Sequence, residues 1–117
     1  RALYKKHPEA YHAMGQTAEA VARRFGISRE QQDTFAFNSH QKAVAAYATG
    51  KFKEQVVRVP VRVKDENEQW HDLVLEKDEG PRADTNLEKL ATLKTVFAED
   101  AEATVTAGNS SPLNDGA

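Results

Sequence analysis

The chain contains no cysteine, so no disulfide, thiolate metal site or sulfur nucleophile can come from its own residues. That absence fits an intracellular protein. The opening Arg1-Ala2-Leu3-Tyr4-Lys5-Lys6-His7-Pro8 has neither an initiator methionine nor an apolar leader core, so secretion finds no support and a cytoplasmic location is expected. Long apolar runs are missing too: none approaches the about 20 residues of a bilayer span, so no membrane partner is expected. Charge of one sign is equally lacking. A net charge of −2 predicts no long-range attraction to nucleic acid. Six glycines and four prolines lie scattered through 117 residues, and there is no internal repeat or low-complexity tract. With 39% apolar and 29% charged residues, the chain reads as one polar globular domain with a modest core, cut at both ends.

Chemical motifs are also few. No glycine-rich loop cradles a phosphate, no histidines stand at helical ligand spacing, and no serine sits in a nucleophile elbow. His7, His12, His40 and His71 are dispersed and read as structural or surface residues. Asp78 and Glu79, adjacent in a loop, read as solvated carboxylates. No catalytic residue and no metal site is expected, and spacing alone describes a binding or interaction domain.

What is present is a clear order of elements. Ala18, Val21, Ala22 and Phe25 recur at helical spacing over Thr17 to Phe25, with Gly26 as a stop. Ser28-Arg29-Glu30-Gln31 is a capping box opening a helix to about Thr49, with Phe35, Ser39, Ala43, Val44 and Tyr47 near one face and Gly50 ending it. The period then changes. Val57, Val59, Val61 and Val63 alternate with Arg58, Pro60, Arg62 and Lys64, predicting a half-buried strand whose Pro60 suits an edge or bulge. Asp65 to Glu68 make a turn, and Gln69 to Glu76 return as a second strand. Such a ribbon is marginal alone and is expected to pack on the helices or on another chain. After the loop Asp78 to Arg82, Thr85-Asn86-Leu87-Glu88 predicts a second capping box and a brief helix ending near Leu93. Residues 94–103 are irregular, and Thr104 to Ala107 favour strand before a Gly-Asn-Ser loop.

Four segments in fixed order carry a family resemblance. Met14-Gly15-Gln16-Thr17-Ala18-Glu19 resembles the "MGxTAE" helix start of thiolases, and Ile27 to Asp33 with Phe35-Ala36 and Ser39 to Ala43 resembles their "ISRExQDxFA" and "SHxKA" run. Asp78 to Arg82 with Leu87 to Leu90 is similar to the loop and helix that follow, and Thr104 to Ala117 to "TVTAGNxSxxxDGA". The resemblance covers Met14 to Ala117; residues 1–13 are an unmatched lead-in. It implies an α+β fragment of a thiolase fold: residues 14–103 as the loop domain covering coenzyme A, and 104–117 as the strand and loop returning to the core domain.

The implied activity is acyl exchange between thioesters of coenzyme A, in thiolytic cleavage or Claisen condensation of a 3-ketoacyl-CoA in fatty acid metabolism. One cysteine takes the acyl group, a histidine activates it, and a second cysteine handles the α-carbon proton. The resemblance puts the first cysteine upstream of this segment and the other two groups downstream, so the chain alone is expected to be inactive. Coenzyme A or acyl-CoA is expected as substrate, with no covalently bound cofactor. The remaining core domains, and a second copy in a dimer or tetramer of the parent, are the implied partners.

Residue by residue, Ser111 matches the serine whose hydroxyl bonds a pantetheine amide, against the alternative of a turn serine before Pro112. Arg82 matches an arginine at the adenine and phosphate end, against a plain surface arginine. Met14 and Phe97 match residues lining the pantetheine and acyl tunnel, with core packing as the alternative. Ala107 and Gly108 would let the backbone approach pantetheine, or only make the turn. Asn109 and Asn114 are expected to bond loop backbone. Many biosynthetic thiolases have histidine directly before the Met, whereas Ala13 intervenes here after His12, which leaves acyl length open between acetyl and longer groups. Two other readings stand beside this one: a non-catalytic thiolase-like protein that binds acyl-CoA or lipid, and an oligomerisation module using the ribbon.

Overall fold

A computed structural model describes residues 2–114. They fall into two compact units, one formed by the residues up to Ser39 together with those from Asp84 onward, the other by His40–Ala83.

The first unit begins with α1 (Ala2–Lys6) and a 3-10 turn (Pro8–Tyr11), held together by an edge-to-face contact of Tyr4 on Tyr11. Helix α2 (Met14–Phe25) starts three residues earlier than its apolar spacing suggests. The Gln16 side chain accepts the Ala13 N–H at 2.9 Å, satisfying an orphan donor of the first turn. Gly26 ends α2 in the left-handed region at φ +63°, where an L side chain is strained, while Ile27 N–H closes back on Ala22 O at 2.9 Å. Helix α3 (Arg29–Ala48) opens on the expected capping box: Gln31 N–H donates to Ser28 Oγ at 3.2 Å and Ser28 N–H to Gln31 Oε1 at 2.9 Å. Helix α4 (Leu87–Ala91) is shorter than expected and is capped by Asn86, whose side chain accepts Lys89 N–H at 2.8 Å. The predicted Thr85 cap is therefore one residue early. The amide oxygen of Asn86 accepts the N–H three residues on, as the Thr85 hydroxyl was expected to do for Glu88.

The core of this unit is small: Ala22 on α2, Leu90 on α4, and Val105 with Thr106. The predicted terminal strand reduces to a single antiparallel bridge, Thr95 with Thr106, supported by Val96 N–H donating to Val105 O at 3.1 Å. The expected apolar faces are also corrected. Glu19 and Ala22 are buried on α2, whereas Phe25 is 67% exposed. On α3 the buried residue is Asp33, while Phe35 is 78% exposed and Ser39 exposed. Residues two apart stand about 200° around a helix, so turning Asp33 inward turns Phe35 outward.

The second unit holds the end of α3, where Ala43, Val44 and Tyr47 are half-buried and Gly50 closes the helix at φ +71°. Tyr47 packs on Phe52 with ring centroids 4.9 Å apart, and its hydroxyl donates to Asp78 Oδ2 at 2.5 Å while accepting Asp78 N–H at 3.0 Å. That carboxylate pushes the phenol's pKa above its ordinary value. Strands β1 (Val59–Lys64) and β2 (Trp70–Leu75) form an antiparallel ribbon in which Val59, Val61 and Val63 stand opposite Leu75, Leu73 and His71. The other face pairs Pro60 with Val74, Arg62 with Asp72 and Lys64 with Trp70. The alternation is as expected, but the burial is not: Val61 alone is half-buried and every other strand residue is exposed. Within this unit no helix packs on the ribbon, and two six-residue strands cannot cover their own apolar face.

The ribbon's turn is tied by Asp65, whose carboxylate accepts the N–H groups of Gln69 and Asn67, each at 2.9 Å, and meets His71 Nε2 at 2.6 Å. The Gln69 amide, then His71, hold its pKa below the ordinary value. A lowered folded value means the stabilisation is fully present above the ordinary aspartate value of 3.8 and is lost as pH falls through the folded one. In an acid titration, the Asn67 and Gln69 amide resonances are expected to hold position until pH drops below that ordinary value and then move together. Movement centred at or above it would contradict the turn's reading.

Candidate functional site

Five of the six candidate residues lie in the first unit, on a frame built from buried polar groups. Glu19 is 3% exposed on α2, and four hydrogen bonds from two residues converge on its carboxylate: Thr104 N–H at 3.0 and 3.1 Å to the two oxygens, Thr104 Oγ1 at 3.1 Å, and Val105 N–H at 2.9 Å. One carboxylate thereby takes up the backbone donors of a segment that has no strand partner on that side. Arg23, one helical turn on, holds the preceding loop through both oxygens of Asp100 at 2.6 and 2.9 Å.

Asp33, 4% exposed on α3, is the second anchor. Its Oδ2 accepts Arg29 Nε–H at 2.8 Å and its Oδ1 accepts Asn109 Nδ2–H at 2.9 Å. Arg29 also donates to Leu90 O at 2.6 Å and Leu93 O at 2.9 Å, so one guanidinium joins α3 to the end of α4. Asn109 completes the link, accepting Thr106 N–H at 2.8 Å and donating to Thr104 O at 3.0 Å. Thr106, fully buried, accepts Gly108 N–H at 3.2 Å and Asn109 N–H at 3.3 Å on its hydroxyl, and Ser110 Oγ donates to Thr106 O at 2.7 Å. The turn 106–110 is thus fixed from inside the protein.

On this frame Ala107 and Ser111 are exposed and Gly108 is half-buried. A Cβ at Gly108 would come within 2.5 Å of Leu93 and 2.6 Å of Leu90, so a larger residue there would have to displace the ends of both leucine side chains. Met14 opens α2 and is 82% exposed; Phe97 lays its ring against Gly15, where a Cβ would meet it at 2.1 Å. The structure thus brings Met14 and Phe97 to one place, the N-terminal turn of α2. Phe97 is 40% exposed, so neither side chain belongs to the core. Arg82 lies in the second unit, its backbone N–H donating to His40 Nδ1 at 3.1 Å. Asn109 bonds loop backbone as expected, and Asn114 is exposed.

Sequence pattern assigns no role to Glu19, Asp33 or Arg29. A signal existed for Glu19: a lone carboxylate among Ala18, Ala20, Val21 and Ala22 is an ill fit for an apolar face unless it has buried donors to meet. Among the described residues no three His, Cys, Asp or Glu side chains group as a metal site, and no helix is long and apolar enough to cross a membrane.

This mixed helix-and-ribbon fold is similar to parts of two solved acetyl-CoA acetyltransferases. It matches the crystal structure of the Bacillus anthracis acetyl-CoA acetyltransferase with a TM-score of 0.73 and 43% identity, over 90% of this chain and 25% of that one. The acetyl-CoA acetyltransferase of Syntrophomonas wolfei matches with a TM-score of 0.66 and 40% identity, over 84% of this chain and 23% of that one. The model of the thiolase N-terminal domain matches residues 3–117, and the chain belongs to that family. It is 48% identical to the 3-ketoacyl-CoA thiolase of Bacillus subtilis over 120 residues, covering 99% of this chain and 30% of that protein. The human peroxisomal 3-ketoacyl-CoA thiolase is also 48% identical, over 104 residues, covering 89% of this chain and 24% of that protein. The chain therefore spans less than a third of the length of these relatives.

Proposed function

We propose that the chain is the coenzyme A-binding portion of a thiolase that transfers acyl groups between CoA thioesters, cleaving or forming a 3-ketoacyl-CoA. The observation that carries this is membership in the thiolase N-terminal domain family across nearly the whole chain, with relatives named for this chemistry. The internally fixed turn 106–110 supports it, because a pre-formed loop binds without the entropy cost of ordering itself. In this reading Ser111 bonds a pantetheine amide and the backbone at Ala107 and Gly108 lies along the arm. Met14 and Phe97 flank the thioester end, and Arg82 meets the adenine and phosphates. Residues 14–103 are the covering loop domain, and 104–117 return to the core. The cysteine nucleophile, its histidine and the second cysteine come from the rest of the parent protein, which acts in the cytoplasm in fatty acid metabolism as a dimer or tetramer.

Acetoacetyl-CoA and free CoA provide the test. The full-length protein is expected to convert them to acetyl-CoA, and the 117-residue chain alone to give no turnover above buffer. Ser111→Ala in the full-length protein should raise KM for CoA by roughly three- to tenfold, the worth of one hydrogen bond, with kcat little changed. Turnover by the isolated chain, or none by the full-length protein, would sink the proposal. The largely exposed apolar face of Val59, Val61, Val63, Leu73 and Leu75 favours, in addition, an assembly role for the ribbon.

A further inference from the structure

The side-chain amide of Asn109 can stand only one way round. Its oxygen receives Thr106 N–H, while its nitrogen donates to Thr104 O and to Asp33 Oδ1. Turned over, it would set N–H against N–H at Thr106 and oxygen against oxygen at both Asp33 and Thr104, three repulsive contacts in a partly buried place. Asp33 is 4% exposed, and its other oxygen is taken by Arg29, so its own orientation is locked as well. The chain of constraint therefore runs from α3 through Asp33 to Asn109, and from Asn109 to the backbone at Thr104 and Thr106. Ala107, Gly108 and Ser111 follow directly on that backbone. Helix α3 contributes no candidate contact residue in the first unit, yet it fixes where the contacting loop stands.

We propose that Asp33, acting through Asn109, is a positioning residue for the pantetheine-contacting loop: it sets the affinity for the pantetheine arm of coenzyme A without touching the ligand. The inference rests on the coenzyme A reading above and adds to it the residue pair that holds the loop in register. A buried carboxylate suits the task because it can only accept, and so dictates which end of the Asn109 amide faces it. A merely structural role would have a different signature. Loosening the whole domain weakens binding of every part of the cofactor, whereas a displaced 106–111 loop weakens only the part that this loop meets.

The test uses the full-length protein and two probes, CoA and its nucleotide half, 3′-phospho-ADP. Asp33→Ala and Asn109→Ala are expected to weaken CoA binding about tenfold, the worth of about one contact hydrogen bond lost from the displaced loop, and to leave 3′-phospho-ADP affinity unchanged. Asp33→Asn keeps one acceptor oxygen for the Asn109 amide but turns its NH2 toward Arg29, so it should recover only part of the CoA affinity. Asn109→Ser removes the amide donor to Asp33, adds no charge against that carboxylate and keeps a hydroxyl for the neighbouring polar groups, so it should show the same CoA-selective loss even where an alanine variant does not fold. Unchanged CoA affinity in these variants overturns the inference, as does equal loss of both probes. A wild-type protein that binds neither probe overturns the coenzyme A reading itself; one that binds both while Asn109→Ser matches it overturns the positioning role alone.

Discussion

Glu19→Ala is expected to release the Thr104–Val105 segment, raising amide exchange at those two residues by about 100-fold, equivalent to about 3 kcal/mol. Four hydrogen bonds from two backbone amides and one hydroxyl end on this carboxylate, and Val105 is itself in the core. With the carboxylate replaced by a methyl group those donors face apolar atoms, and a buried donor left without a partner costs far more than the net gain of an ordinary hydrogen bond. Glu19→Gln should fall between, because the amide keeps one acceptor oxygen and turns an NH2 toward groups that are themselves donors. Exchange measured residue by residue in the full-length protein reads this locally. Unchanged protection at Thr104 and Val105 would mean that the Thr95–Thr106 bridge, not Glu19, holds the segment.

Arg29→Ala should be nearly as costly, at about 3 kcal/mol, because it strips a buried carboxylate of its cation and α4 of two carbonyl partners together. The side chain of Asp33 is 5% exposed and that of Arg29 25%, so solvent cannot replace the lost partner as it would at the surface. Arg29→Lys tests the geometry. A single ammonium cannot reach Asp33, Leu90 O and Leu93 O from one position as a planar guanidinium does, so lysine should recover less than half of the loss. Denaturant midpoints of the full-length protein give the comparison; a loss of less than about 1 kcal/mol for the alanine variant would reduce the pair to an ordinary surface bridge.

Both effects arise at residues to which sequence pattern assigned nothing, and the reason is physical. Periodicity reads a helix by its apolar residues, and on α2 and α3 those residues are partly a wrong guide: Phe25 and Phe35 are exposed while Glu19 and Asp33 are buried. Glu19 and Asp33 go inside where donors 76 to 86 residues away meet them, and although Arg29 stands one turn from Asp33, no local window contains the distant partners. Local chemistry was legible where the partners are neighbours. The Ser28–Gln31 box, the left-handed stops at Gly26 and Gly50, and the alternation that set Val59, Val61 and Val63 on one face all depend on residues within a few positions. The candidate site divides likewise. The family resemblance picked out Ser111, Arg82, Ala107, Gly108, Phe97 and Met14, whereas the contact of Phe97 on Gly15 and the packing of Leu90 and Leu93 on Gly108 required the folded chain.

The sequence by itself determined the order and type of the elements from α2 to α4, the thiolase family, and the absence of any cysteine to carry acyl transfer within these residues. Tertiary structure alone decided which side of each helix turns inward, that the ribbon's apolar face lies uncovered in its own unit, and that the 106–110 turn hangs from Asp33. The division follows from range: caps, turns and alternation are written in adjacent residues, but burial of a charge is settled only when distant donors converge on it.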